Sequence, residues 1–220
     1  LKCEQGEAVA QQEGVIKFQL DYSESKAVQA AEILEINAWR QILFRLRLIG
    51  RDSGRYGGYA FGNVSRRMPS AGPRCSFLIS GTQTGGLEEI GAEHYASVLD
   101  CDIAANSIAA SGPIRPSSEA LTHAAVYERS ETICAVLHAH SPEIWHCASA
   151  IGLPMTSSQA VYGTPEMAEE VERLFALTDV GGQKIFAMGG HEDGVVSFGE
   201  TPEEAGLVLV RYLARALERT

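Results

Sequence analysis

Three times the second half of this chain runs hydroxyl, proline, glutamate: Ser141-Pro142-Glu143, Thr164-Pro165-Glu166 and Thr201-Pro202-Glu203. Each triplet offers a hydroxyl N-cap, a proline at the first helical position and an acid where the helix dipole favours one. Each predicts a helix start. Around them lie short β-branched or apolar runs of strand length, Thr132–Leu137, Lys184–Met188 and Gly194–Phe198. Helices alternating with strands predict a sheet covered by helices, with function at its loops.

The first half is less regular. Glu13–Leu20 alternates, with Ile16, Phe18 and Leu20 on one face, and reads as a short strand. Residues 21–49 read as one long helix, started by Asp21 and Glu24 and marked by Ala27, Ala31, Leu34, Ala38 and Ile42, with Gly50 as its stop. Apolar residues on more than one of its sides (Ile33, Ile36, Trp39, Leu43, Phe44, Leu48) point to a homo-oligomer. Arg51–Gly62, rich in Gly and Tyr, reads as a loop entering a strand. Cys75–Ile79, Ser97–Ile103 and Asn106–Ala110 read as further strands. No linker or repeat divides the 220 residues, so we expect one domain over 1–220, with 1–20 as an N-terminal extension.

A composition of 45% hydrophobic and 21% charged residues excludes disorder and low complexity. A net charge of -10 argues against nucleic acid or an anionic membrane as partner. No apolar run approaches the roughly 20 residues of a membrane helix. Leu1 is not an initiator Met, and no signal-like stretch follows it. Five widely spaced cysteines (Cys3, Cys75, Cys101, Cys134, Cys147) without a CxxC pair read as reduced, mostly buried thiols of a cytoplasmic protein.

The chemistry concentrates in a few places. His138-Ala139-His140 ends an apolar strand, and a period of two puts both imidazoles on one face. Glu119 and His123 are four apart on a predicted helix, hence on one side of it. His191 lies in a turn bracketed by Gly189, Gly190 and Gly194. Three histidines and a carboxylate suit Zn²⁺, or another borderline divalent ion, better than Ca²⁺ or Mg²⁺. Small polar residues cluster at turns: Gly62-Asn63-Val64-Ser65, Ser80-Gly81-Thr82 and Pro116-Ser117-Ser118-Glu119, the last at a helix start that attracts anions. Gly81–Gly86 spaces like a P-loop, but Leu87 follows where Lys is required, which disfavours a nucleotide.

Taken in order, these pieces resemble the class II aldolase/adducin family, from about Glu32 to Arg215. The resemblance rests on Gly62 to Ser65, Ser80-Gly81 with Gly85 and Leu87, Pro116 to Glu119 with His123, His138-Ala139-His140, Tyr162-Gly163-Thr164 and His191. It implies a three-layer α/β/α sandwich around a mostly antiparallel sheet, and commonly a homotetramer. His138, His140 and His191 would bind zinc, with Glu119 as general base and candidate fourth ligand. Asn63, Ser80, Gly81, Ser117 and Ser118 would hold a phosphate or related anion on a small-molecule substrate. The implied activity is carbon–carbon cleavage of a hydroxy-carbonyl compound through a zinc-stabilised enediolate. Epimerisation, isomerisation or dehydration in the same family is the alternative, as is a non-catalytic adducin-like module. The chain departs from the sugar-phosphate aldolases in placing Glu192 and Asp193 after His191, and in a shorter stretch between His140 and Tyr162 without their loop tyrosine. Tyr162 or His146 would then serve as the acid.

Overall fold

Alternate residues of the central strands belong to different cores. Phe77 and Ile79 face one side and Leu78 the other; Val136 faces the first side, Ala135, Leu137 and Ala139 the second. A sheet buried on both faces has to be covered twice. The computed structural model describes residues 14–68 and 75–219. Its strands are β1 (Gln19–Glu24), β2 (Gly50–Arg51), β3 (Ala60–Phe61), β4 (Asn63–Arg67), β5 (Phe77–Ser80), β6 (Tyr95–Asp102), β7 (Ser107–Gly112), β8 (Ala135–His140), β9 (Ile185–Ala187) and β10 (Gly194–Gly199). Its helices are α1 (Ala30–Arg45), α2 (Ala120–Tyr127), α3 (Pro142–Cys147), α4 (Pro165–Leu177), α5 (Val180–Gln183) and α6 (Pro202–Leu217).

Eight strands form one sheet in the order β1-β7-β6-β5-β4-β8-β10-β9, while β2 and β3 make a separate pair. Within the large sheet β1 runs parallel to β7 and the remaining neighbours are antiparallel. Leu121 and Val126 of α2 and Met167 and Val171 of α4 fill one face. Ile36 and Leu43 of α1, Ile144 of α3 and Leu209 of α6 fill the other. The fold is the three-layer sandwich with a mostly antiparallel sheet. All three proline triplets begin helices, though only two of the hydroxyls cap. Ser141 Oγ accepts from Ile144 N (3.3 Å) and Thr201 Oγ1 from Glu204 N (3.1 Å), whereas the Thr164 hydroxyl donates to Val161 O.

The long helix over 21–49 does not form. Residues 19–24 pair with β7 as β1, and α1 begins at Ala30, where the Glu32 carboxylate accepts the Gln29 N–H at 2.9 Å. The strand expected over Glu13–Leu20 therefore starts later, and Glu13 lies outside the described residues. The periodicity of Ala31, Leu34, Ala38 and Ile42 falls on the outer side of α1. Leu34 is 68% and Ile42 40% exposed, whereas Ile33, Ile36, Arg40 and Leu43 are buried. Gly50 does not stop the helix. The helix ends at Arg45, Arg47 turns left-handed (φ 59), and Gly50 pairs with Phe61.

Arg40 is a buried cation whose partners are backbone carbonyls. Its guanidinium donates to Glu88 O (2.7 Å), Thr84 O (3.0 Å), Gly85 O (3.2 Å) and Leu87 O. It thereby holds the 84–88 turn, whose Gly85 comes so close to Phe61 that a Cβ there would lie 2.3 Å from Phe61 O. Arg40→Met should cost about 1–3 kcal/mol by stranding those carbonyls. Urea unfolding of the two proteins measures this, and an unchanged midpoint would contradict it.

The cysteines need a correction. Cys75 and Cys101 form a disulfide, with Cα atoms 5.9 Å apart. The antiparallel β5–β6 register, which sets Phe77 opposite Val98, brings the start of β5 beside the end of β6 and so joins residues 26 apart in sequence. The expectation of reduced thiols fails for this pair, which is of a kind uncommon in reducing compartments. Cys134 and Cys147 are free and half-buried, and Cys3 lies outside the described residues. No described helix is long and apolar enough to cross a membrane.

Candidate active site

β8 is flanked by β4 and β10, so its last turn of side chains is surrounded. In register, His138 lies opposite Asn63 on one side and Val196 on the other. His138 and His140 share the parity of Val136, the face covered by α2. His191 comes from the β9–β10 turn, where Met188 N–H donates to Gly194 O (2.8 Å) and Gly194 N–H to His191 O (2.9 Å). Gly189 and Gly190 are required there, because a Cβ would lie 2.2 Å from Thr156 O and 2.1 Å from Ala160 O respectively.

The three imidazoles are buried, and each offers a ligand atom within 4.8 Å of the others. Burial, then His191, His138 and Arg55, hold the His140 pKa well below its ordinary value, so that this ring is neutral with a lone pair to give. A buried set of nitrogen donors converging at this spacing fits a borderline divalent ion.

Glu119 is the N-cap of α2 and is itself buried. Its Oε1 lies 3.2 Å from His191 Nδ1 and 3.8 Å from His138 Nε2. Burial alone would raise the carboxyl pKa, but the His138 and His191 charges and the His191 hydrogen bond outweigh it and hold it below the usual value. The carboxylate is thus ionised and directly beside the donor cluster.

A small recess adjoins this group, lined by Asn63, Gly81, Ser117, Ser118, Glu119 and His138. Tyr162-Gly163-Thr164 closes behind it: Gly163 (φ +66) approaches so near that a Cβ would lie 2.6 Å from Ser118 O. Two expected residues behave differently. Ser80 is not in the lining, and its Oγ accepts the Val64 N–H at 3.1 Å. Gly81 is in the lining, but its N–H donates to His94 O at 2.8 Å instead of pointing inward. Asn63 opens a strand and not a turn.

On the far side of His140 stands a group that the sequence did not announce. Tyr56 sets its ring edge-on to His140 (centroids 4.5 Å) and donates its hydroxyl to Asp193 Oδ2 at 2.7 Å, and Arg55 pairs with the same carboxylate oxygen. Burial and the Asp193 hydrogen bond push the Tyr56 pKa up, so the phenol keeps its proton. The expected acids lie farther out or deeper in. His146 is exposed, with Nε2 4.0 Å from Asp193 Oδ1, while Tyr162 is buried against His191 (centroids 4.7 Å). Only the Gly/Tyr-rich composition of 51–62 marked this loop, and nothing local shows that it folds back over His140.

The fold has parallels among solved structures. YgbL from Escherichia coli superposes with a TM-score of 0.60 at 17% identity, covering 82% of this chain and 84% of that one. L-fuculose-1-phosphate aldolase from Thermus thermophilus gives 0.57 at 19%, covering 83% and 89%. Among curated proteins, the methylthioribulose-1-phosphate dehydratase of Gluconacetobacter diazotrophicus is 32% identical over 111 residues, 50% of this chain and 49% of that protein. Its counterpart in Xanthomonas oryzae pv. oryzae (strain PXO99A) is 36% identical over 80 residues, 36% and 31% of the two chains. The matched stretches thus span between 31% and 49% of those relatives. The profile of the Class II Aldolase and Adducin N-terminal domain matches residues 52–218. With that match running from the Tyr56 loop through Glu119 and all three histidines to the end of α6, the chain belongs to the class II aldolase and adducin family.

Proposed function

We propose that this protein is a zinc-dependent lyase that dehydrates a small phosphorylated hydroxy-ketone of the methylthioribulose-1-phosphate kind. The observation that carries a metal-assisted lyase is the ionised Glu119 carboxylate, 3.2 Å from one histidine of a buried three-imidazole cluster and in the wall of a polar recess. Dehydration takes precedence over aldol cleavage because the curated relatives bear the dehydratase name. Aldol cleavage remains the second reading, supported by the fold shared with fuculose-phosphate aldolase.

His138, His140 and His191 would hold the ion, which supplies a Lewis acid for the substrate's oxygens. The residues of the chain do the rest. Ser117, Ser118 and Asn63 fix the phosphate end in the recess, whose wall Gly81 completes. Glu119 takes the proton from the carbon beside the carbonyl. Elimination then expels the neighbouring hydroxyl, which leaves as water once protonated. The Tyr56 phenol, protonated and beside His140, would give that oxygen its proton after releasing its hydrogen bond to Asp193. The family resemblance also supports a homotetramer, whose mass light scattering reads directly.

Incubating the zinc-loaded protein with methylthioribulose 1-phosphate should yield the product lighter by one water, seen by mass spectrometry. Formation of two carbon fragments would replace the dehydratase reading by the aldolase one. No turnover of this or related ketose phosphates would remove both.

A further inference from the structure

The loop between β2 and β3 carries Tyr56, yet its own backbone does little to hold it over the site. β2 and β3 pair only as Gly50 with Phe61 and Arg51 with Ala60, apart from the large sheet. Among the described residues, the backbone hydrogen bonds of the loop close within it. Arg55 N–H donates to Asp52 O (3.3 Å), Gly58 N–H to Arg55 O (2.8 Å) and Tyr59 N–H to Tyr56 O (3.2 Å). Residues 52–55 are exposed. Tyr56 itself is left-handed (φ 50), a conformation that is unfavourable for a bulky residue and persists where the surroundings hold it.

The anchor facing this loop is rigid. Asp193 is fully buried, and its backbone carbonyl accepts the N–H of Ser141, just past the end of β8, at 2.9 Å. Its carboxylate is used unevenly. Oδ2 accepts the Tyr56 hydroxyl (2.7 Å) and the Arg55 guanidinium, whereas Oδ1 is buried without a hydrogen bond, with His146 Nε2 4.0 Å away. One oxygen thus ties down two consecutive residues. The Arg55 guanidinium also stands 5.0 Å from the centre of the Tyr56 ring.

The reaction treats these two tethers differently. Tyr56 can give its proton to the leaving oxygen only after its O–H turns from Asp193, so that tether is lost when the ring must stay beside His140. The Arg55 pair needs no such release. We propose that Arg55 is a positioning residue, whose pair with Asp193 keeps the loop and the Tyr56 ring in place while the phenol exchanges Asp193 for the substrate. A charge-assisted contact suits that task, because it holds without the phenol proton. This inference rests on Tyr56 being the proton donor of the dehydration proposed above.

Two readouts test it, and one needs no substrate. Arg55→Met keeps the apolar stem without the cation, and Arg55→Lys keeps a cation for the carboxylate. Chymotrypsin cuts after Tyr56 or Tyr59 once the loop opens, and mass spectrometry identifies the cut. Cutting should be about threefold faster or more in Arg55→Met than in wild type, and close to the wild-type rate in Arg55→Lys. Equal rates in the Met variant and wild type would overturn the tether. With methylthioribulose 1-phosphate, Arg55→Met should lower kcat about tenfold or more at unchanged KM and zinc content, and Arg55→Lys should restore most of it. In a Tyr56→Phe background the same change should cost under about twofold, since Arg55 acts through that phenol. A raised KM with kcat intact would make Arg55 a substrate contact instead, and an undiminished loss in the Phe background would equally refute the role. Wild-type protein that turns over no substrate, while the Met variant is cut faster, would count against the dehydratase reading and leave the tether standing.

Discussion

His140→Ala should empty the metal centre. His140 contributes one of three buried nitrogen donors whose ligand atoms lie within 4.8 Å of each other, and its ring is held neutral by its surroundings. A tetrahedral ion with two protein ligands instead of three loses most of its binding energy, so occupancy should fall from about one ion per chain to under about a tenth. Elemental analysis of both proteins after the same dialysis reads this directly, and turnover should fall with it. The strand survives, because β8 is held by backbone pairing to β4 and β10 and not by this ring. Equal metal content in variant and wild type would end the assignment of the ligands.

Glu119→Gln separates chemistry from binding. The amide keeps the shape of the carboxylate and its place at the start of α2 but accepts no proton. We expect a folded protein with most of its metal and a turnover lower by about a hundredfold or more. Exchange of solvent deuterium into the substrate carbon should stop as well, since that exchange reports the base alone. Should the variant exchange at the wild-type rate, Glu119 merely caps the helix and Asp193 becomes the next candidate. Asp193 is buried and engaged by Arg55 and Tyr56, so it would have to release both to act.

The parts of this site that could be read from the sequence are those set by local geometry. A period of two places His138 and His140 together, a helical spacing places Glu119 above His123, and glycines frame His191. The parts that could not be read depend on distant partners. Residues 21–24 carry a capping pattern, yet β7, far along the chain, pairs with their backbone along one side and makes them an edge strand. Ser80 stands in the right motif, but its hydroxyl is taken by Val64 N–H. Arg55 and Tyr56 meet Asp193 across more than a hundred residues, and Cys75 meets Cys101 through the pairing of β5 with β6; neither contact leaves a local mark.

Helix α2 has no exposed face: all eight of its residues, Ala120 to Tyr127, are buried. The Tyr56 loop, in contrast, has an exposed Arg55 and is tied to the site through a carboxylate. Under selection these two regions have different freedoms. A change in α2 disturbs the core together with the base, so variants there are lost through misfolding before their chemistry can be tried. Changes at the exposed positions 52–54 are nearly free of that penalty, so descendants of this chain can acquire new substrates by drifting there while Tyr56 and Glu119 stay as inherited.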